Sequence, residues 1–177
     1  MNANQLTRAL LLSTLFSTAA HAYDGTINFT GALTSNTCVL SSSSQTVTLP
    51  TLAATTLASA SSWAGRTPFT VSLTGCDAGA TSVGLYFEQT DDIDTSNGTL
   101  NNIAAVSPAT NVQVQLLNAN FVALDLSKGS KSAQNSLSVD ASSGTAAIQL
   151  YAQYFSENGS ATAGSVEAQA IFSLDYL

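Results

Sequence analysis

The side chains that could carry out chemistry in this chain are few, and histidine is nearly absent. The single histidine, His21, lies in an N-terminal segment that we expect to be removed from the mature protein. Without histidine, a Ser-His-Asp triad, a Cys-His pair and a histidine metal site are excluded from the mature chain. We therefore predict no catalytic residues, no bound metal, no cofactor and no enzymatic activity.

The two cysteines, Cys38 and Cys76, are the only ones in the chain, and the default expectation for such a pair in an exported protein is a disulfide bond. A metal or redox site is the alternative, but neither a CxxC motif nor a histidine ligand accompanies them. A bond between them closes a loop of roughly 39 residues, for which the chain-entropy model gives about 4 kcal/mol of stability. We expect a structural disulfide.

An acidic cluster, formed by Asp91, Asp92 and Asp94, precedes Asn97-Gly98 and places oxygen ligands at the alternating positions of a Ca²⁺ loop. The glycine comes one position late, and Ile103 stands where an EF-hand has its bidentate glutamate. This pattern favours a solvated hairpin loop over a calcium site.

The N-terminus has the pattern of a secretory signal peptide at residues 1–22. Arg8 precedes an apolar run that is too short to span a bilayer, and Ala20-His21-Ala22 provides a small-x-small cleavage site. A first helix of the folded domain is the alternative. We expect the mature chain to begin at Tyr23 and to be exported, which leaves 155 of the 177 residues, enough for one domain.

The charge of the chain is low and negative. Its formal net charge is −7, and loss of Arg8 with the signal peptide makes it −8, with only Arg66, Lys128 and Lys131 as cations. Binding to nucleic acid or to an anionic membrane surface is therefore disfavoured. Charged residues make up 8% of the chain, so the surface is mostly neutral and polar. Such a surface suits a protein that packs against copies of itself, and equally any secreted β-domain.

Alternation of apolar and polar residues with a period of two dominates the mature chain and predicts an all-β fold. Glycine-containing turns separate the segments at the spacing of a sandwich rather than of parallel βαβ units. Residues 52–65 are rich in alanine but also in serine and threonine, so we expect a loop there with at most one short helical turn. The predicted strands are 27–33, 46–49, 69–75, 83–87, 112–116, 121–126, 148–155 and 166–176.

Several short motifs are each weakly specific, but their combination in this order and at this spacing is specific. The motifs are Gly25-Thr-Ile-Asn-Phe-Thr-Gly31, Cys38, Thr67-Pro-Phe-Thr-Val-Ser-Leu-Thr-Gly-Cys76, Ala152-Gln-Tyr-Phe155, Gly164 and the penultimate Tyr176. With them the sequence resembles the type 1 fimbrial subunit family of the chaperone–usher pathway over essentially its whole length. The resemblance implies an incomplete immunoglobulin-like sandwich that lacks its last strand and is completed by a donor strand from another subunit.

Two sets of residues receive roles from this resemblance, and apart from Leu177 the members of each set share one parity. In the N-terminal donor-strand segment, residues 23–35, the side chains expected to enter the groove of a partner are Gly25, Ile27, Phe29, Gly31 and Leu33. In the pilin domain, residues 36–177, the residues expected at the groove edge and facing a chaperone are Gly164, Ala168, Ala170, Phe172, Leu174, Tyr176 and Leu177. Gly31 fits a close backbone approach, and a β-bulge is the alternative.

The resemblance also implies partners and a location. The partners are other pilus subunits, a periplasmic chaperone and an outer-membrane usher, and the location is a cell-surface fimbrium reached through the periplasm. The function that follows is a structural subunit that polymerises by donor-strand exchange and supports cell adhesion. A minor tip or adaptor subunit is one alternative, because only Tyr23-Asp24 precedes the first strand. A small adhesive module is another, although single aromatic residues such as Trp63 usually belong to a core or an interface.

Overall fold

The computed structural model describes residues 27–31 and 37–176, and the chain divides into an N-terminal unit, residues 1–33, and a main unit, residues 34–177. The expected signal peptide lies outside the described residues, so that prediction is not tested here. In the N-terminal unit, residues 27–31 are not part of a strand, although a strand was predicted over 27–33. A β-strand requires a hydrogen-bonded neighbour, and within the described residues none is paired with these five.

The described part of the main unit consists of two antiparallel sheets, which confirms the all-β prediction. Six strands form one sheet in the order β1-β2-β8-β6-β5-β4, and three form the other in the order β7-β3-β9. The strands are β1 Val39–Leu40, β2 Ser62–Thr74, β3 Ser82–Phe87, β4 Ile93–Asp94, β5 Thr99–Leu100, β6 Gln113–Leu117, β7 Ser138–Asp140, β8 Thr145–Ser156 and β9 Phe172–Tyr176.

The core lies between the sheets and follows from the period of two along the strands. In the long β2–β8 pair, Phe69 opposes Leu150 and Val71 opposes Ile148, all on one face, while the residues between them point to the other face. From the three-stranded sheet, Val83 and Leu85 are completely buried against this layer. The predicted strands at 69–75, 83–87, 112–116 and 148–155 are therefore confirmed, with β2 and β8 longer than expected.

Two predicted strands are wrong, at 46–49 and at 121–126. Residues 43–50 form no strand, although Val47 and Leu49 pack against the core. In the second segment only an isolated bridge between Leu117 and Ala123 remains. The reason is local: the Asn118 side-chain oxygen accepts hydrogen bonds from the backbone N–H groups of Asn120 and Val122, so a turn replaces the ladder. The predicted strand 166–176 is shorter than expected, since only its last five residues, Phe172–Tyr176, form a strand.

The remaining expectations concern two loops. In the alanine-rich segment 52–65, a single 3₁₀ turn, Ala54–Leu57, forms as expected, but β2 already begins at Ser62. The acidic cluster lies at a hairpin, as predicted, with β4 and β5 paired around a turn that ends at Gly98. None of the helical segments among the described residues has the length and hydrophobicity needed to cross a bilayer.

Candidate functional site: an open groove over the apolar core

A groove of about 880 Å³ opens directly onto the apolar core of the main unit. Its floor takes side chains from both sheets, so it lies where the sandwich would otherwise close. The floor residues are Phe69, Val71, Leu85, Phe87, Leu100, Val114, Leu116, Leu150, Ala152 and Tyr154. Residues 43–49 and 166–172 line its sides. A core that reaches the surface in this way normally signals a binding surface, because large apolar areas are costly to leave in water.

The first side of the groove, residues 43–49, has an unpaired backbone. The last ladder contact before it is the hydrogen bond from the Ser41 N–H to the carbonyl oxygen of Ser72. From residue 43 to residue 50, no backbone–backbone hydrogen bond joins this segment to another described segment. Apart from the Ser44 carbonyl oxygen, which accepts a hydrogen bond from the Ser42 hydroxyl, the segment therefore presents a row of free donors and acceptors to any strand placed beside it.

The second side, residues 166–172, is paired on one of its two edges. The carbonyl oxygens of Glu167 and Ile171 accept hydrogen bonds from the backbone N–H groups of Ile103 and Glu88, so the backbone groups of the odd-numbered residues point away from the groove. The backbone groups of Ala168 and Ala170 have no such partner among the described residues. Successive backbone groups of an extended chain alternate in direction, so these unpaired groups belong to the opposite edge.

Together the two sides define a slot for one β-strand. An inserted strand finds unpaired backbone groups on both sides and apolar side chains beneath alternate residues. The unpaired backbone groups on both sides distinguish this site from a pocket for a small molecule. Of the described residues that line it, Glu167 alone is charged, and burial raises the pKa of the Tyr154 phenol at its floor. The site therefore offers apolar and backbone contacts rather than acid–base chemistry.

A disulfide anchors the chain just before the first side of the groove. Cys38 and Cys76 are bonded, as predicted, with their Cα atoms 4.0 Å apart. The bond ties β1 to the loop after β2, and the same loop is held by a hydrogen bond from the Cys76 N–H to the carbonyl oxygen of Gly144. The position of the unpaired segment 43–49 is thus fixed at its N-terminal end by a covalent link.

The residues predicted at the groove edge occupy three different places. Ala168, Ala170 and Phe172 line the groove. Phe172 also begins β9, in which Phe172, Leu174 and Tyr176 pair with β3 and pack against the core.

Gly164 lies outside the groove, where a Cβ atom would stand 2.4 Å from the backbone nitrogen of Ala109. Its role is therefore to allow close packing between two loops. Leu177 lies outside the described residues.

The predicted donor residues are described in part. Ile27 is 81% exposed and Phe29 is 90% exposed, and no atom would come within 4 Å of a Cβ added at Gly31. Gly25 and Leu33 lie outside the described residues. Two large apolar side chains, two positions apart and thus of the same parity, are exposed to water, which is unusual for residues without a partner surface.

Sequence reasoning missed the floor of the groove and its first side. The floor residues were assigned to strands but not to a site, because alternation shows which side chains are buried and not which neighbouring strand is absent. Val47 and Leu49 carried the only available signal, since they share a parity next to Pro50.

The comparisons with known proteins can be set beside this geometry. A family model described as Fimbrial protein matches residues 27–177. The major fimbrial subunit SMF-1 of Stenotrophomonas maltophilia (strain K279a) is 41% identical over 164 residues, covering 89% of this chain and 95% of the relative. The F17 fimbrial protein of Escherichia coli is 39% identical over 173 residues, with 94% of each chain covered.

Solved structures show the same fold at lower sequence identity. A chaperone–usher pilus structure gives a TM-score of 0.58 at 20% identity, covering 88% of this chain and 96% of the other. The crystal structure of the P pilus rod subunit PapA gives 0.56 at 18% identity, covering 79% and 99%. The fold is therefore that of the pilin class, an immunoglobulin-like sandwich left incomplete along one strand.

Family membership follows from the length of the match and from the identity to the relatives. The chain belongs to the Fimbrial protein family. It is a structural subunit that polymerises with other subunits in fimbriae at the cell surface, and the family is not one of enzymes. These statements confirm the predicted fold class, function and location.

Proposed function

We propose that the groove of this subunit accepts a β-strand from a neighbouring subunit, and that residues 23–35 are the strand it donates in turn. The observation that carries the proposal is the pair of unpaired backbone edges on either side of an apolar floor. The exposed Ile27 and Phe29 support the second half, since their spacing places both side chains on one face of a strand.

The energetics explain why a strand is needed instead of a loose apolar tail. Burying Ile27 and Phe29 contributes about 3–6 kcal/mol, at about 1.5–3 kcal/mol for each side chain. Ordering about ten backbone residues costs on the order of 10–20 kcal/mol. Apolar contacts alone therefore do not suffice, and main-chain hydrogen bonds along both edges supply the remainder. A groove that already exists in the acceptor reduces the ordering cost to that of the donor alone.

The same groove explains the need for assembly partners before polymerisation. An exposed apolar floor with two free edges promotes aggregation, so we propose that a periplasmic chaperone fills it and that an outer-membrane usher exchanges the chaperone for the next subunit. Residues 1–22 act as a signal peptide in this scheme. Amino-terminal sequencing of the exported protein tests that step, with Tyr23 as the expected first residue.

The position we propose in the fibre is that of the repeating subunit. This assignment is supported by the relative SMF-1, which is described as a major subunit and is 41% identical to this chain. Labelling of assembled fibres with an antibody against this chain distinguishes the possibilities: labels along the whole length fit a repeating subunit, and labels confined to one end contradict it.

A peptide complementation experiment tests strand acceptance. Protein that lacks residues 1–35 is mixed with a synthetic peptide covering residues 23–35, and thermal unfolding is followed. We expect a clear rise in the melting temperature, because a ligand that binds only the folded state stabilises it. The matched control peptide carries Ile27→Asp and Phe29→Asp and should produce no rise. Equal effects of the two peptides, or no effect of the native one, would sink the proposal.

A further inference from the structure

A second surface of the main unit combines exposed aromatic rings with a cation, and it lies on the face of the six-stranded sheet opposite the groove. In the β2–β8 pair, Phe69 and Leu150 face the groove, so the neighbouring pair Pro68 and Tyr151 faces outward. On this outer side Trp63, Phe121 and Val122 are exposed to 53%, 52% and 47%. We call the cluster of Trp63, Arg66, Phe121, Val122 and Tyr151 the Arg66 patch.

The guanidinium of Arg66 is fixed at the centre of the patch. It lies 4.3 Å from the ring centroid of Trp63 and 4.9 Å from that of Phe121, within the range of cation–π contacts. Its Nε donates a hydrogen bond of 2.9 Å to the side-chain oxygen of Gln153, which is 1% exposed and donates in turn to Gln115. The buried Gln153, itself bonded to the half-buried Gln115, thus holds the arginine in one orientation.

Arg66 also lacks a carboxylate partner, unlike the two lysines of the described chain. Lys128 pairs with Asp125 at 3.3 Å, and Lys131 pairs with Asp175 at 3.0 Å. Within the described residues, no acidic side chain comes within ion-pair distance of Arg66. Its terminal nitrogens therefore remain available, and a planar guanidinium presents them in the fork geometry that matches a carboxylate.

The chain itself carries a matching group in the turn before β4. Asp91 and Asp92 are the only adjacent acidic pair in the sequence, and neither side chain has a hydrogen bond or ion pair within the described part of the chain. Asp91 is exposed and Asp92 is half-buried. The chain has a net charge of −7, and Arg66 is the one cation without an ion pair among residues 27–31 and 37–176, so this turn and the Arg66 patch are complementary in charge.

The sheet order prevents the two surfaces from meeting within one molecule. Arg66 lies on β2 and the acidic turn leads into β4, with β8, β6 and β5 between them. Four strand spacings of about 4.8 Å separate them by roughly 19 Å. A contact between two different patches can be repeated head to tail from copy to copy, so it suits an open fibre.

We propose that the Arg66 patch of one copy binds the Asp91–Asp92 turn of a second copy. This contact is lateral and separate from strand insertion into the groove. It rests on the proposed function only in requiring that the chain forms fibres. Arg66 supplies the charge-assisted hydrogen bonds, and the rings of Trp63 and Phe121 shield them from water.

The experiment uses fibres assembled by cells from the full chain. Phe121 is replaced by the photoreactive residue benzoylphenylalanine, the fibres are irradiated, and cross-linked peptides are identified by mass spectrometry. We expect a cross-link to the segment 88–94 of another copy. Arg66→Glu should abolish most of this cross-link, and Arg66→Glu combined with Asp91→Arg and Asp92→Arg should restore it. Lys128→Glu changes the net charge equally and should leave the cross-link intact.

Several outcomes would overturn the proposal. These are wild-type fibres without the cross-link, a cross-link to another segment, and failure of the charge swap to restore it. The proposal also fails if Arg66→Glu leaves the cross-link intact but abolishes binding of the fibres to acidic glycans, since the patch is then a ligand site. A wild-type chain that forms no fibres contradicts the proposed function as well, which separates the two failures.

Discussion

The backbone N–H of Cys38 donates a hydrogen bond of 2.7 Å to the phenolic oxygen of Tyr176, which joins the chain just before the first strand to the end of the last strand. Cys38 is also bonded to Cys76, and Tyr176 pairs with Val83 in the three-stranded sheet. The two sheets are thus linked at one end of the groove. This hydrogen bond therefore connects the two sheets beside the open groove.

Tyr176→Phe should lower the free energy of unfolding by about 1 kcal/mol. The substitution keeps the ring and removes the acceptor, which leaves a partly buried N–H without its hydrogen bond. Urea unfolding of the protein with its groove filled by the 23–35 peptide measures the change. Tyr86→Phe is the matched control, because no hydrogen bond of the Tyr86 hydroxyl is found within the described residues. Equal losses in the two variants would show that the Cys38 contact contributes nothing.

Replacing both Cys38 and Cys76 by alanine should lower the free energy of unfolding by about 4 kcal/mol, since the two residues are separated by 38 positions and their bond restricts the unfolded chain. The same measurement on reduced wild-type protein should give a similar loss. A substantially smaller loss in both cases would mean that the unfolded chain is already compact in this region.

Alternation in the sequence predicted burial correctly, but it did not always predict strand pairing. Leu124 and Leu126 are 1% and 0% exposed, yet no strand forms there. In the preceding turn Phe121 adopts a φ of 62°, a conformation that the alternation of apolar and polar residues does not predict. Burial is a property of one side chain, whereas a ladder also requires a neighbour at the right distance, and sequence spacing does not specify that neighbour.

The groove shows the same distinction at the level of the site. Ala168, Ala170 and Phe172 line it; they were assigned to its edge by the family resemblance, and their contact with a partner stays a prediction. On the opposite side, Val47 and Leu49 were predicted to lie in a strand. Alternation indicates that a segment can form a strand, but it does not show whether a neighbouring strand is present to pair with it. The Arg66 patch could not be predicted, because it depends on a β-bulge between Ala64 and Thr67 that interrupts the alternation of β2.

Gln134→Leu should be among the more damaging substitutions near the groove floor, with a loss of about 2–4 kcal/mol. The Gln134 side chain is completely buried, and it bonds both the N–H and the carbonyl oxygen of Phe87 at 2.9 Å and 2.7 Å. It also donates to the carbonyl oxygen of Lys128. Leucine fits the volume but leaves these backbone groups unpaired. Asn120→Leu, at an exposed amide, should change stability little, and comparable losses in the two variants would contradict the explanation.

Stability should fall as the pH drops below about 4, and Asp94 should account for part of the fall. Hydrogen bonds from the Ser96 hydroxyl and backbone N–H, and from Gln113, lower the pKa of Asp94 in the folded protein. A folded-state pKa below the unfolded value means that the stabilisation is complete above the unfolded pKa and is lost as pH falls through the folded one.

Asp94→Asn should therefore make stability less dependent on pH between about 5 and 2. Urea midpoints across this range measure the effect, with Glu157→Gln as a control for the loss of one exposed charge. If the variant retains the wild-type slope, the Ser96 and Gln113 contacts do not stabilise the carboxylate.

Backbone methylation of the donor peptide should show whether both sides of the groove bind it. In an inserted strand the N–H of Ile27 points to one side and that of Asn28 to the other. Methylating either nitrogen removes one hydrogen bond worth about 1 kcal/mol, so each peptide should bind roughly fivefold to tenfold more weakly to protein lacking residues 1–35. Methylation at Ser35, at the end of the peptide, serves as the control. If methylation at only one of the two positions weakens binding, the donor strand pairs with a single edge. Insertion between residues 43–49 and 166–172 is then not how neighbouring subunits are connected.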